Sequence, residues 1–357
     1  MGKATIREGA INMRTHTVGP CTIVTPRSYL LDRMTPRIEE IRVPGTTVGG
    51  GKLSYVLGED ESRLPAQRKR LRMLSSGRRA PARRLEEAGV IIDLRRHNPE
   101  NWAHMLTNHI AYVFALADAT GIDWKDLILL LPANTPDHIV AAAAMFGLRT
   151  HLTDDPIMGE AIAFKAAPWA GNRGVRGDWA RMPRVVSALE TSVFMSEPEK
   201  SLPRRVFISR RDSRRLANEA EIITHLGARD ITTLYAEDLA PKDQFRLLAQ
   251  ADLVVAIHGA ALAPLLYRPP TAPPATVVEL LPVGHVTLVW RVLAQQVGCR
   301  WIGVRGRIEP KHINGGLYDL KRPFLRFSLD DFIVDPASID RALELTAERT
   351  EEELISP

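Results

Sequence analysis

With 357 residues, 45% of them hydrophobic, 25% charged and a net charge of +5, the chain has enough apolar content to bury more than one core. Its apolar runs are too short or too interrupted to span a bilayer, which argues against an integral helical membrane protein. Two lone cysteines, Cys21 and Cys299, exclude a disulfide framework or a cysteine metal site, and the N-terminal MGKATIREGAINMR has no apolar core of a secretory signal, so the cytoplasm is the expected location.

In chain order, VPGTTVGGGKL (43–53) imitates a phosphate-binding P-loop. Thr46 stands where the first glycine belongs and Leu53 where a hydroxyl should hold magnesium, so it reads as a glycine-rich turn. Between Arg63 and Arg84 there are nine arginines or lysines and no acid. A solvated surface is the ordinary reading of such a run; the functional one is a peripheral contact of segment 63–84 with an anionic membrane or an acidic polysaccharide. No aromatic residue is interleaved for base stacking, which argues against nucleic acid.

VIIDLR (90–95) predicts a strand, 100–118 a helix, LILLL (127–131) a strand and 137–147 a helix closed by Gly147. PWAGNRGVRGDWARMP (168–183) reads as a loop at a domain boundary, dividing the chain into an N-terminal domain, 1–180, and a C-terminal domain, 181–334. From Arg204 onward strands and helices alternate. RRVFIS is followed by a helix over SRRLANEAEIITHLG, with Asp212 or Ser213 as N-cap; ITTLYA, KDQFRLLAQA, DLVVAI, TVVELL, HVTLVWRVLAQQVG and RWIGVR continue the alternation. The segment 335–357 predicts a C-terminal amphipathic helix. Repeated βα units of this length build a doubly wound parallel sheet whose ligands bind outside the carboxyl ends of the strands.

DLVVAIHGAALAPLLY (252–267) joins a buried strand to a helix through His258-Gly259-Ala260-Ala261. Such a turn aims unpaired N–H groups at whatever it holds, and small residues let a phosphate approach the backbone. His258 is then a side-chain donor to phosphate, or alternatively a core histidine beside a chain-turning glycine. SRRDSRRLANE (209–219) lies on the same rim, where Arg210, Arg211 and Arg215 can fork onto a diphosphate and Asn218 and Glu219 can orient them.

VFISRRDSRRLANEAEI, the helix leading into LLAQADLVVAIHGAALAPLLY, and TVVELLP together resemble the nucleotide-binding domain of glycosyltransferase family 61. The family also carries an Asn-x-x-His element, matched by Asn101 and His104 in NWAHML. The resemblance implies a GT-B architecture, two Rossmann-like α/β domains facing across a cleft. It also implies an inverting, metal-independent transferase acting in capsular or lipopolysaccharide assembly, with no cofactor beyond a nucleotide-sugar donor, UDP-linked on this reading, and a glycan acceptor. Arg210, Arg211, Arg215, Asn218, His258, Gly259, Ala260, Ala261 and Glu279 are then the donor-binding set, Glu279 meeting the ribose, with His258 and His104 as catalytic candidates. His104 is read as the base, or else as a structural histidine. A sugar-nucleotide epimerase on the same fold and a non-catalytic nucleotide-sugar-binding relative are the alternatives.

Overall fold

The computed structural model describes residues 7–12, 16–26, 38–48, 52–57, 83–85, 89–165, 179–195, 201–309, 312 and 327–348. Most of the basic segment 63–84, the glycines at 49–51, much of the 168–183 loop and the end of the C-terminal segment lie outside these residues. Two compact units form: Met1–Arg14 with Gly49–Val175, and Thr15–Val48 with Arg176–Pro357. The strands, in chain order, are β1 (Arg7–Asn12), β2 (His16–Val18), β3 (Cys21–Pro26), β4 (Ile38–Val43), β5 (Thr46–Val48), β6 (Lys52–Leu57), β7 (Arg83–Arg84), β8 (Val90–Asp93), β9 (Leu127–Leu131), β10 (Arg149–Leu152), β11 (Ile157–Met158), β12 (Ile162–Lys165), β13 (Arg205–Ser209), β14 (Thr232–Tyr235), β15 (Leu253–Ile257), β16 (Thr276–Leu281) and β17 (Arg300–Arg305).

The first unit contains a parallel sheet ordered β10-β9-β8 and an antiparallel sheet ordered β1-β6-β12. All five residues of β9 are buried, as a parallel strand covered on both faces requires. A continuous helical run over 102–120 follows β8; it begins as Trp102–His104, passes through a π-helical turn at Met105–Ile110 and ends as Ala111–Thr120. Gly121, at φ 70°, stops it in the left-handed conformation that glycine adopts without a Cβ clash.

The second unit is built on a seven-stranded sheet ordered β14-β13-β15-β16-β17-β3-β4. All neighbours are parallel except the edge pair β3 and β4. The expected division into 1–180 and 181–334 therefore differs from the fold, because β3 and β4 complete this sheet although they stand at the start of the chain. The helix Pro336–Ala347 is likewise part of the unit: Ile339, Ala342 and Leu345 pack into the core formed by Phe207, Val255, Val278, Ile302 and their neighbours.

The helix expected from Ser213 begins instead at Glu219. Its first residues are used otherwise: Leu216 bridges Phe332, the Arg214 and Ala217 N–H groups donate to Leu329 and Phe332 carbonyls, and the Phe332 N–H donates to Arg215. Competing backbone partners far along the chain thus override local helix propensity. The helix expected over 285–298 also shortens, to Val289–Gln296. Among the described residues no helix is long and apolar enough to cross a membrane.

β13 passes first to β14 on one side and then to β15 on the other, so the topological switch point falls between β13 and β15. Ligands of open α/β sheets bind in that crevice, outside the strands' carboxyl ends. Phe207, fully buried in β13, anchors the central strands. Phe207→Ala is expected to cost about 3–5 kcal/mol, read as a lower midpoint in urea unfolding.

Candidate functional site

The His258–Gly259 turn follows β15 and leads into a 3-10 helix, Ala260–Tyr267. The helix-like reading of this stretch holds, with the tighter winding that Pro264 and small residues accommodate. His258 continues the strand ladder for one more bond, its N–H donating to the Leu280 carbonyl at 2.9 Å. Its ring is 4% exposed, and Nδ1 is hydrogen-bonded to a carboxylate oxygen (Oε1) of Glu279, itself fully buried. The other oxygen, Oε2, accepts from Trp301 Nε1 at 2.7 Å.

Strand alternation explains this triplet. Glu279 on β16 and Trp301 and Gly303 on β17 point to the face opposite Val278, Leu280, Ile302 and Val304, which join the main core. A Cβ on Gly303 would stand 2.6 Å from Trp301 Cη2, so the glycine leaves the indole the room to reach Glu279. A carboxylate only accepts, so His258 carries its hydrogen on Nδ1 and Nε2 is left to interact outside the pair. Both Glu279 oxygens being engaged inside the sheet, the ribose role expected for Glu279 is corrected: the side chain orients His258 and is closed to a sugar hydroxyl.

Arg210, one residue beyond β13, spans the switch point. Nη1 donates to the His258 carbonyl at 3.0 Å, while Nε and Nη2 hold Asp212 at 3.0 and 2.8 Å. A Cβ at position 259 would collide with Nη1 of Arg210. Gly259 has φ 168°, extended backbone open to any residue. The flexible end of Arg210 thus lies across the Gly259 backbone, and no unusual backbone conformation demands glycine there. Ala260 and Ala261 are half-buried at the start of the 3-10 helix, where N–H groups lack intrahelical acceptors.

The remaining arginines separate. Arg211 forms a fork onto Asp238 at 2.6 and 2.5 Å and stacks 3.9 Å over the Tyr235 ring. Arg215 pairs with Asp331 at 2.7 Å. Both stay exposed, and among the described residues neither is bonded to the His258 turn as Arg210 is, so only Arg210 of the three expected diphosphate arginines is held there. Asn218 does not orient the arginines; it clamps the backbone of Val334, donating to its carbonyl at 2.9 Å and accepting from its N–H at 3.3 Å. Glu219 accepts from Ser209 and from the Tyr235 hydroxyl, the latter at 3.1 Å.

Two residues missed in the sequence do stand at the turn. Arg214 adopts φ 64° and donates through Nε to the Ser328 carbonyl at 2.7 Å. Burial and the nearby Arg210 lower its guanidinium pKa. His285, in the loop after β16, meets the His258 ring edge-on with centroids 4.8 Å apart. Burial, together with the positive potential of His258 and Arg214, pushes its pKa down to about 4. The usable signal was position: a histidine just past the end of the strand next to β15 shares the rim with the turn.

In the first unit, Asn101 caps the helical run by accepting from the His104 N–H at 3.1 Å. Within the π-helical turn Asn108 donates Nδ2–H to His104 Nδ1 at 2.9 Å. Neutral His104 therefore has its lone pair engaged at Nδ1 and its hydrogen on Nε2. Among the described residues no group of three His, Cys, Asp or Glu side chains could hold a metal ion.

Removing one member of a buried ionisable pair strands the other. His258→Ala is expected to cost about 3–5 kcal/mol in denaturant unfolding, with most of the loss recovered when Glu279→Leu is added. Failure of the double variant to recover would locate the cost elsewhere.

Against known proteins, the family model described as Glycosyltransferase 61 matches residues 90–278. A crystal structure of the bacterial iron-containing dodecameric glycosyltransferase TibC from enterotoxigenic E. coli H10407 aligns at 12% identity over 78% of this chain and 76% of that one, with a TM-score of 0.30. A second, of the dodecameric iron-containing heptosyltransferase TibC in complex with ADP-D-beta-D-heptose, aligns at 12% identity over 76% and 74%, with a TM-score of 0.28. No curated protein matches the chain. Because the family match spans more than half of the sequence and runs through the turn where Arg210 crosses the His258 backbone, the protein belongs to glycosyltransferase family 61.

Proposed function

We propose that the protein transfers a sugar, with inversion, from a nucleotide-sugar donor to a glycan acceptor in surface polysaccharide assembly. The observation that carries this reading is Arg210 bonded across the His258–Gly259 turn at the switch point of the large sheet. It sets a guanidinium, an imidazole and the start of a 3-10 helix around the place proposed for the donor's diphosphate.

In the proposed reaction the acceptor oxygen bonds to the anomeric carbon as the bond from that carbon to the phosphate oxygen breaks. The electron pair leaves with the diphosphate, and the acceptor's proton goes to a base. Negative charge grows on the departing diphosphate, so donors aimed there act most strongly in the transition state. Arg210 supplies a fixed cation. A His258 imidazolium would donate from Nε2 to a phosphate oxygen, with Glu279 balancing its charge from the far side of the ring. Protein cations in this role make a metal ion unnecessary, which supports metal independence.

His104 remains the proposed base. For that role the Asn108 amide must turn so that its oxygen accepts from Nδ1–H, which moves the lone pair to Nε2. The cytoplasmic site of action, the two-domain GT-B arrangement, the UDP-linked donor and the peripheral role of segment 63–84 belong to the same proposal.

A thermal-shift panel of UDP, GDP, CMP and their sugars tests donor binding. A ligand present at a hundred times its Kd should stabilise the fold by about 2.7 kcal/mol, and a panel without any response would sink the donor reading. Release of free nucleotide from the responding nucleotide sugar should require an acceptor, which an epimerase does not, and any turnover excludes a non-catalytic relative. Activity should persist in EDTA; its loss on chelation and return with magnesium or manganese would overturn metal independence.

A further inference from the structure

We infer that Arg214 and His285 complete the donor's diphosphate cradle, standing beside Arg210 and the His258 turn in the place that the sequence suggested for Arg211 and Arg215. The inference rests on the donor reading above and adds to it which side chains meet the phosphates.

Counter-ions separate the arginines of the 209–219 turn. Arg211 and Arg215 already spend their charge on Asp238 and Asp331. Arg210 has Asp212 on one edge and the His258 carbonyl on the other. Arg214 makes no ion pair among the described residues; its guanidinium donates to a neutral carbonyl, that of Ser328. It is half-buried, and Arg210 and His285 lie close enough to feel its charge. A desolvated cation beside a second cation, with only the weaker pull of Asp212, is an electrostatic cost that an incoming anion relieves.

His285 shows the same deficit from another element. Among the described residues its buried Nδ1 has no hydrogen-bond partner, although buried polar atoms are nearly always paired. Its ring lies against His258, and the charged groups acting on it are His258 and Arg214, with no carboxylate among them. An anion held between Arg210 and Arg214 would therefore meet an imidazole already in place against His258.

The Arg214 backbone is placed for this. At φ 64° it occupies a region that L-residues seldom adopt, held there by the bond from its N–H to Leu329 and from Nε to Ser328. That reversal of the chain parts Arg214 from Arg215, so that adjacent arginines end with different partners. Residues in such conformations cluster where a side chain must be aimed.

The test measures binding of UDP and of inorganic pyrophosphate to the full chain by calorimetry. Arg214→Asn, chosen because asparagine tolerates the left-handed conformation, is expected to weaken both ligands about tenfold or more, and Arg214→Lys to recover part of the loss. His285→Gln should weaken both several-fold, roughly the effect of one lost contact. The affinity of Arg214→Asn should also fall less steeply with added salt than that of the parent, a change that a merely structural role would not produce. If Arg210→Gln loses binding while folded Arg214→Asn and His285→Gln bind like the parent, the donor reading stands and the cradle is overturned. If Arg214→Asn does not fold, Arg214→Lys decides: parental affinity and salt slope overturn the role of Arg214. If the parent binds neither pyrophosphate nor any of UDP, GDP, CMP and their sugars, the donor reading fails and takes the cradle with it.

Discussion

A fully buried carboxylate organises the second unit's site. Glu279 sits in the middle of a parallel sheet, where an unpaired charge would be prohibitive, and two donors from two different strands meet it: His258 after β15 and Trp301 on β17. Each donor satisfies one of the carboxylate's two oxygens. The imidazole orientation, the indole packing and the absence of a side chain at Gly303 follow from that requirement. Once His258 is fixed through Nδ1, its carbonyl is fixed as well, and Arg210 can be laid across the Gly259 backbone to reach it.

The rim outside this buried triplet sorts charge by partner. Acids at the ends of other segments, Asp238 and Asp331, take Arg211 and Arg215 out to the periphery. Such exposed pairs contribute little stability, but they decide where cations are not. What stays near the turn is Arg210, Arg214, His258 and His285, with Glu279 buried behind and Asp212 exposed at the edge. Two arginines therefore remain at the topological switch point, and that is where the proposed donor's diphosphate would be accommodated.

The strands were legible because parallel strands buried on both faces must be continuous apolar runs. LVVAI, TVVELL, RWIGVR and LILLL appear in the fold almost at the residues read from the chain. The His258 turn was legible for a related reason, since a polar residue and a glycine directly after such a run mark the strand's carboxyl end. β3 and β4 were not: a six-residue strand such as CTIVTP has no local mark saying that its partner, β17, lies some 280 residues further on. The helix start at Glu219 was displaced by the same kind of long-range pairing, with residues 329–332 claiming the backbone that the pattern had assigned to a first turn.

The sequence by itself determined the α/β class, the order of βα units in the second half, and the turn at His258 and Gly259, because these follow from periodicity and from what a strand end requires locally. Only the tertiary structure decided which arginines stand at that turn and what Glu279 does. Arg211 and Arg215 are drawn away by Asp238 and Asp331, Arg214 is turned inward by a left-handed backbone, and Glu279 is closed between His258 and Trp301. Each of those outcomes depends on a partner brought near by sheet order, and adjacent residues of the same type carry nothing in their identities that says which of them a distant carboxylate will take.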